Sequence, residues 1–162
     1  ATWNKSGTEF AAYIPFYPDC ATTFVSDVEV VDRPIRIFGG AQDDYNPAAL
    51  CKPYVDRLQA AGKNVQLTVY PTASHAFDNP FGAVPPAEVK GGQTVRHCSI
   101  REEPEGTLIN TSTREPFSYK DPCVELNPHV GYDAAATEAA KKSVGEFLSA
   151  LFKLEPQTHA NH

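Results

Sequence analysis

Two loops in this sequence carry side chains that could share a proton. One follows IRIFG (residues 35–39) and holds Asp43 and Asp44; the other closes NVQLTVYP (64–71) and presents His75 within TVYPTASHAFD. A carboxylate beside an imidazole is the base and orienter of acyl transfer. The imidazole takes a proton from a weak nucleophile, and the carboxylate fixes its tautomer and stabilises the imidazolium. Asp43 and His75 lie 32 residues apart, about one strand-and-helix unit plus a strand. Blander readings stand beside this one: paired aspartates before a helix serve as caps, and a histidine after a strand serves packing.

The elements around these loops predict how they would be brought together. AYIPFY (12–17) reads as a short buried strand closed by PDC, and 35–39 as a second strand running into the turn formers GAQDDYNP. A helix is expected next, with Asn46 as its cap and Pro47 at its first position. Leu50, Tyr54, Val55, Leu58 and Ala61 form its apolar stripe, Pro53 kinks it and Gly62 stops it. Residues 64–71 form a third strand with Val65, Leu67 and Val69 on its apolar side. A long irregular region, 78–132, contains a hairpin excursion at about 97–123, with Pro104-Glu105-Gly106 at its turn. Asp133 caps a final helix to about residue 153, striped by Ala140, Val144, Phe147, Leu148 and Leu151. Strands separated by such helices imply crossover connections and a parallel sheet. In such sheets ligands bind at the carboxyl ends of the strands, where both reactive loops would lie. About three core strands are visible, few for a sheet covered on both faces, so residues 1–162 read as a single, incomplete α/β domain.

The totals narrow the class. With 162 residues the chain can bury about 70% of its unfolded surface. A formal charge of −6 without a basic stripe argues against nucleic acid, and no apolar run approaches the ~20 residues of a membrane span. The sequence has no methionine and begins at Ala1 without a signal-peptide pattern, which fits processing or a part of a longer chain. Among four cysteines, Cys98 and Cys123 flank the hairpin and are the first pair to expect bridged; buried free thiols are the alternative. A bridge would imply an oxidising compartment, periplasmic or secreted. NTS at 110–112 matches a glycosylation acceptor. His97, His129, His159 and His162 form no metal spacing. Trp3, Tyr13, Phe16 and Tyr17 are candidates for pocket lining, with the last three expected in the core and Trp3 at an exposed start.

FGGAQDDYNP and CKPYVDRLQAAGKNVQLTVYPTASHAFD resemble the acid and histidine segments of the dienelactone hydrolase family, within the α/β-hydrolase fold. The resemblance extends to AYIPFYPDC and to the closing helix, covering most of 10–80 and 133–153. Thr72 departs from it, standing where glycine is usual, and the excursion 81–130 lies outside the simplest family members. The resemblance implies Asp43 as triad acid, His75 as base and Asp44 as a neighbour that caps the following helix. It implies hydrolysis of a small ester, lactone or related acyl bond, with no cofactor and no metal.

That chemistry needs a nucleophile, which in this fold precedes the acid on a G-x-S-x-G or G-x-C-x-G elbow. The chain has no such elbow. Ser6 and Ser26 lack the flanking glycines, and Cys20 follows a strand without a tight turn; a buried small hydrophobe or a bridge to Cys51 are its other readings. In the family the nucleophile falls far enough ahead of the acid to lie before residue 1. The expectation is therefore the C-terminal part of an α/β-hydrolase, inert alone, whose N-terminal half carries the nucleophile and acts as its partner. The rival is a non-catalytic α/β module, or one chain of a nicked enzyme.

Overall fold

The structure, a computed structural model, describes residues 7–154; Trp3, Ser6, His159 and His162 lie outside it. Along the chain run β1 (Thr22–Thr23), β2 (Ile35–Gly40), a 3-10 turn (Ala48–Leu50) leading into α1 (Cys51–Ala60), and β3 (Val65–Tyr70). The excursion then supplies β4 (Ala87–Glu88), β5 (Gln93–Thr94), β6 (Ile100–Glu102), β7 (Leu108–Asn110), β8 (Glu115–Pro116), β9 (Glu125–Leu126) and β10 (His129–Val130), before α2 (Ala134–Phe152).

The frame of the site is the parallel pair β2–β3, in register from Ile35 opposite Val65 to Gly40 opposite Tyr70. Residues 12–17 run parallel along the other side of β2, touching it through bridges at Tyr13–Ile35 and Phe16–Phe38. Pro15 accepts a hydrogen bond from Phe38 N at 3.0 Å but has no N–H to donate, so the expected strand is reduced to bridges. Alternation along β2 sends Ile37 to one face and Phe38 to the other. Ile37 packs with Val55, Leu58 and Val65 under α1, whereas Phe38 packs with Tyr70, Ala73, Phe77, Ala136 and Ala140 under α2. The pair is thus covered by one helix on each face. Full burial of Leu58 and Phe77 contributes roughly 1.5–3 kcal/mol each.

Several local expectations need correction. Asn46 does not cap α1: its side chain donates to Tyr17 O, and the helix begins instead through the 3-10 turn after Pro47. Pro53 causes no mid-helix break because α1 starts at Cys51, placing Pro53 in the first turn, where N–H groups have no helical partner. Val69 is exposed, and so is Tyr13; no described strand flanks β3, or the segment 12–17, on its outer side. Ala61 at the end of α1 is also exposed. Gly62 does end α1, at φ +75°.

The excursion is a meander. β6 and β7 pair antiparallel around the turn that carries Gly106 at φ +88°, β8 extends them, and β1 joins β6 in parallel. Its small core is Val95, Cys98 and Ile100, and the Cys98–Cys123 disulfide is present. A second disulfide joins Cys20 to Cys51. Asn110 is buried, and its amide donates to Asp121 at 2.8 Å, so the glycosylation motif is closed off in the fold. Asp133 caps α2 by accepting from Ala136 N at 2.9 Å. Among the described residues, no helix is long and apolar enough to cross a membrane.

Candidate active site

The two loops meet. Asp43 lies three residues beyond the end of β2 and His75 five beyond the end of β3, and parallel pairing brings both loops to the same edge. Asp43 Oδ2 stands 3.0 Å from His75 Nδ1. The Asp43 side chain is fully buried, and that of His75 is 14% exposed. Two backbone donors fix the other Asp43 oxygen: Tyr45 N at 2.8 Å and Asn46 N at 2.7 Å. Asp43 itself therefore closes the turn before α1, the role expected of Asn46 or Asp44. With three hydrogen bonds to one carboxylate, its orientation leaves little rotational freedom.

Close packing holds the loops at that distance. Gln42 N donates to Ala73 O at 3.0 Å, and Ala41 N to Tyr70 O at 2.9 Å. Gly40 allows the approach: a Cβ there would stand 2.0 Å from the Ala73 carbonyl oxygen. Thr72, the departure from glycine, donates its hydroxyl to the Asp133 carboxylate at 2.6 Å and so ties the histidine loop to the start of α2. Thr137 Oγ1 donates to Phe77 O at 2.9 Å from the same helix. The hydrogen bond from Ala136 N, and after it the one from Thr72, hold the Asp133 carboxyl below the usual aspartate range.

The imidazole packs against two aromatic rings, Tyr17 with centroids 4.5 Å away and Tyr45 at 4.7 Å. Its Nε2 makes no hydrogen bond among the described residues. Tyr17 (φ 38°) and Ala76 (φ 57°) both take left-handed backbone, costly for residues with a Cβ. The Tyr17 hydroxyl donates to Asp78 at 3.1 Å. Burial, then the Asp78 carboxylate beside it, pushes the Tyr17 pKa above its ordinary value, so the phenol stays neutral.

Asp44 turns away from this pair. Its carboxylate accepts from His129 N at 2.8 Å and His129 Nδ1 at 2.9 Å, and pairs with Arg96 at 3.1 Å. Burial opposes its ionisation, but those hydrogen bonds prevail and hold its pKa below the ordinary aspartate value. The sequence left this network out, since Arg96 and His129 lie 52 and 85 residues beyond Asp44 with no local pattern linking them.

Among the described residues, no serine, threonine or cysteine is hydrogen-bonded to the His75 ring. Cys20 is bonded to Cys51 and no cysteine is free, which removes Cys20 as a candidate. Ser26 lines a different place, a cavity of about 670 Å³ that Tyr13, Pro15, Phe24, Val30, Ile37 and Tyr54 also line. That cavity includes neither His75 nor Asp43. No group of three or more His, Cys, Asp or Glu among the described residues could hold a metal ion.

A profile of the dienelactone hydrolase family matches residues 2–152. No curated protein and no solved structure matched the chain. The matched span takes in both loops, both helices and the excursion between them: the chain belongs to the dienelactone hydrolase family.

Proposed function

We propose that the chain supplies the acid and base of an α/β-hydrolase that cleaves a small ester, lactone or related acyl bond. The observation that carries the reading is the 3.0 Å contact between His75 Nδ1 and an Asp43 carboxylate that is buried and held by two backbone donors. Asp43 keeps the proton on Nδ1, leaving the Nε2 lone pair free as the base. A Ser or Cys nucleophile, carried on an elbow of polypeptide ahead of residue 1 or on a partner chain, gives its proton to Nε2 as it attacks the carbonyl carbon. The tetrahedral oxyanion collapses, the carbon–oxygen bond to the leaving group breaks, and the proton passes from His75 to that oxygen. Water then attacks the acyl-enzyme, with His75 taking and returning the proton once more, and the carboxylic acid leaves. These steps call for no cofactor.

The groove beside Tyr13 and Pro15 supports a missing neighbour. Parallel strands need cover on both faces and partners along their edges, and here a mostly apolar cavity opens over Tyr13, Pro15, Ile35 and Ile37. In this reading 12–17, β2 and β3 are the C-terminal strands of a longer sheet. The two disulfides fit an oxidising compartment.

Turnover of a chromogenic short-chain ester by the longer polypeptide, compared with its His75→Ala variant, tests the reading. The variant should lose at least about 10³-fold in kcat/KM while keeping its fold. Activity within about tenfold of the parent would remove His75 from the mechanism.

A further inference from the structure

The excursion touches the candidate site through both of its ends. At one end Thr94, fully buried, donates its hydroxyl to Tyr45 O at 2.6 Å, and Arg96 bonds both the carbonyl and the carboxylate of Asp44. At the other end His129 donates its backbone N–H and its Nδ1–H to the two oxygens of the same carboxylate. The two ends are themselves joined, since β5 pairs with β9 and Arg96 is bonded to Glu125.

The neighbours of His129 add the decisive contact. Val130 forms a parallel bridge with His75, and Gly131 N donates to His75 O at 3.1 Å. Three consecutive residues therefore grip both loops: His129 holds the loop of the acid, and Val130 and Gly131 hold the backbone of the base. This route from acid loop to base does not pass through the His75–Asp43 hydrogen bond. It closes a triangle around that bond.

We propose that Asp44, Arg96 and His129 form a clamp through which the excursion positions Asp43 against His75. The inference rests on the acid–base reading of that pair, and it makes Asp44 a positioning residue beside the acid. The physical need is clear from the loop itself. Residues 41–47 belong to no helix or strand, so the Cα of Asp43 is held by single contacts: those at the start of the loop, the turn its own side chain closes, and the bonds of Tyr45 O and the Asn46 amide. An outward drift of about 1 Å would break a hydrogen bond of 3.0 Å, and misplacement of that size costs on the order of 10²-fold in rate. A clamp on the adjacent residue limits that drift.

The test uses the full chain, isotope-labelled, and reads the His75 Nδ1 proton by NMR, in both its low-field shift and its exchange with water. Asp44→Asn and His129→Ala should each speed that exchange at least about tenfold, as the hydrogen bond opens more often. His129→Gln, which restores a side-chain N–H donor, should return it to within about threefold of the parent. Because His129 is 44% exposed, His129→Ala decides the matter if Asp44→Asn does not fold. Exchange within about threefold of the parent in every folded variant, at unchanged thermal stability, overturns the clamp while leaving the acid–base pair intact. A parent chain whose His75 carries no such proton, and in which Asp43→Asn changes nothing, overturns the pair itself and the clamp with it.

Discussion

Gly40→Ala should damage the fold and the candidate site together, through one carbon atom. A methyl group on Gly40 would sit 2.0 Å from the oxygen of Ala73 and 2.6 Å from its carbonyl carbon. Both are backbone atoms, so no side chain can rotate away. Real Cβ contacts essentially never fall below 3.0 Å, so the end of β2 and the loop after β3 must part by about 1 Å. Overpacking of this kind costs about 1–3 kcal/mol, which for a chain of this size lowers Tm by roughly 2–12 °C. The same displacement acts on the two loops that carry Asp43 and His75. Carried across undiminished, it stretches their 3.0 Å contact beyond hydrogen-bonding distance. Differential scanning calorimetry gives the first quantity, and the His75 Nδ1 proton gives the second. A Tm within about 1 °C of the parent with an unaltered Nδ1 proton would refute the reasoning, because it would mean that the loops can absorb the methyl group without separating.

Two further perturbations probe the parts that hold the loops in place. Replacing Cys98 and Cys123 together by alanine opens a loop of 25 residues and should cost about 2–4 kcal/mol in urea unfolding; a loss below about 0.5 kcal/mol would show that the meander is held by its strands alone. The depressed pKa of Asp133 makes its contribution to stability present above the unfolded aspartate value, near 4, and lost as pH falls through the lower folded value. Asp133→Asn keeps a cap but removes the charge, so urea midpoints measured from neutral to acidic pH should fall less steeply than in the parent; parallel curves would contradict that account.

The reading from sequence worked where a local rule decided the outcome. Asp133 caps α2 because a side-chain oxygen three residues before a free N–H can reach it, and Gly106 turns the hairpin because its φ is positive. Asp43 and His75 could be placed together because parallel strands end on one edge. The misreadings arose where a distant partner decided instead. Asn46 gave up its capping role to Asp43 and turned its amide to Tyr17. Asp44, read as a cap, answers to Arg96 and His129 across the excursion. Alternation along 64–71 placed Val69 with Val65, yet whether an apolar side chain is covered depends on what packs over that part of the strand, and Val69 stands exposed.

The bridge between His75 and Val130 gives the excursion the form of a graft. Its point of departure and its point of return lie side by side, joined by the hydrogen bond from Gly131 N to His75 O, while Thr94, Arg96, His129 and the pairing of β6 with β1 tie its interior to the rest of the fold. The turn at Gly106 lies away from these ties and can be lengthened without moving the base or the helix that follows, since each doubling of a flexible loop costs only about 0.6 kcal/mol. Size is thus free to vary at that turn while the ties stay fixed, and change to the site comes through Thr94, Arg96, His129 and the residues beside them rather than through the tip of the meander.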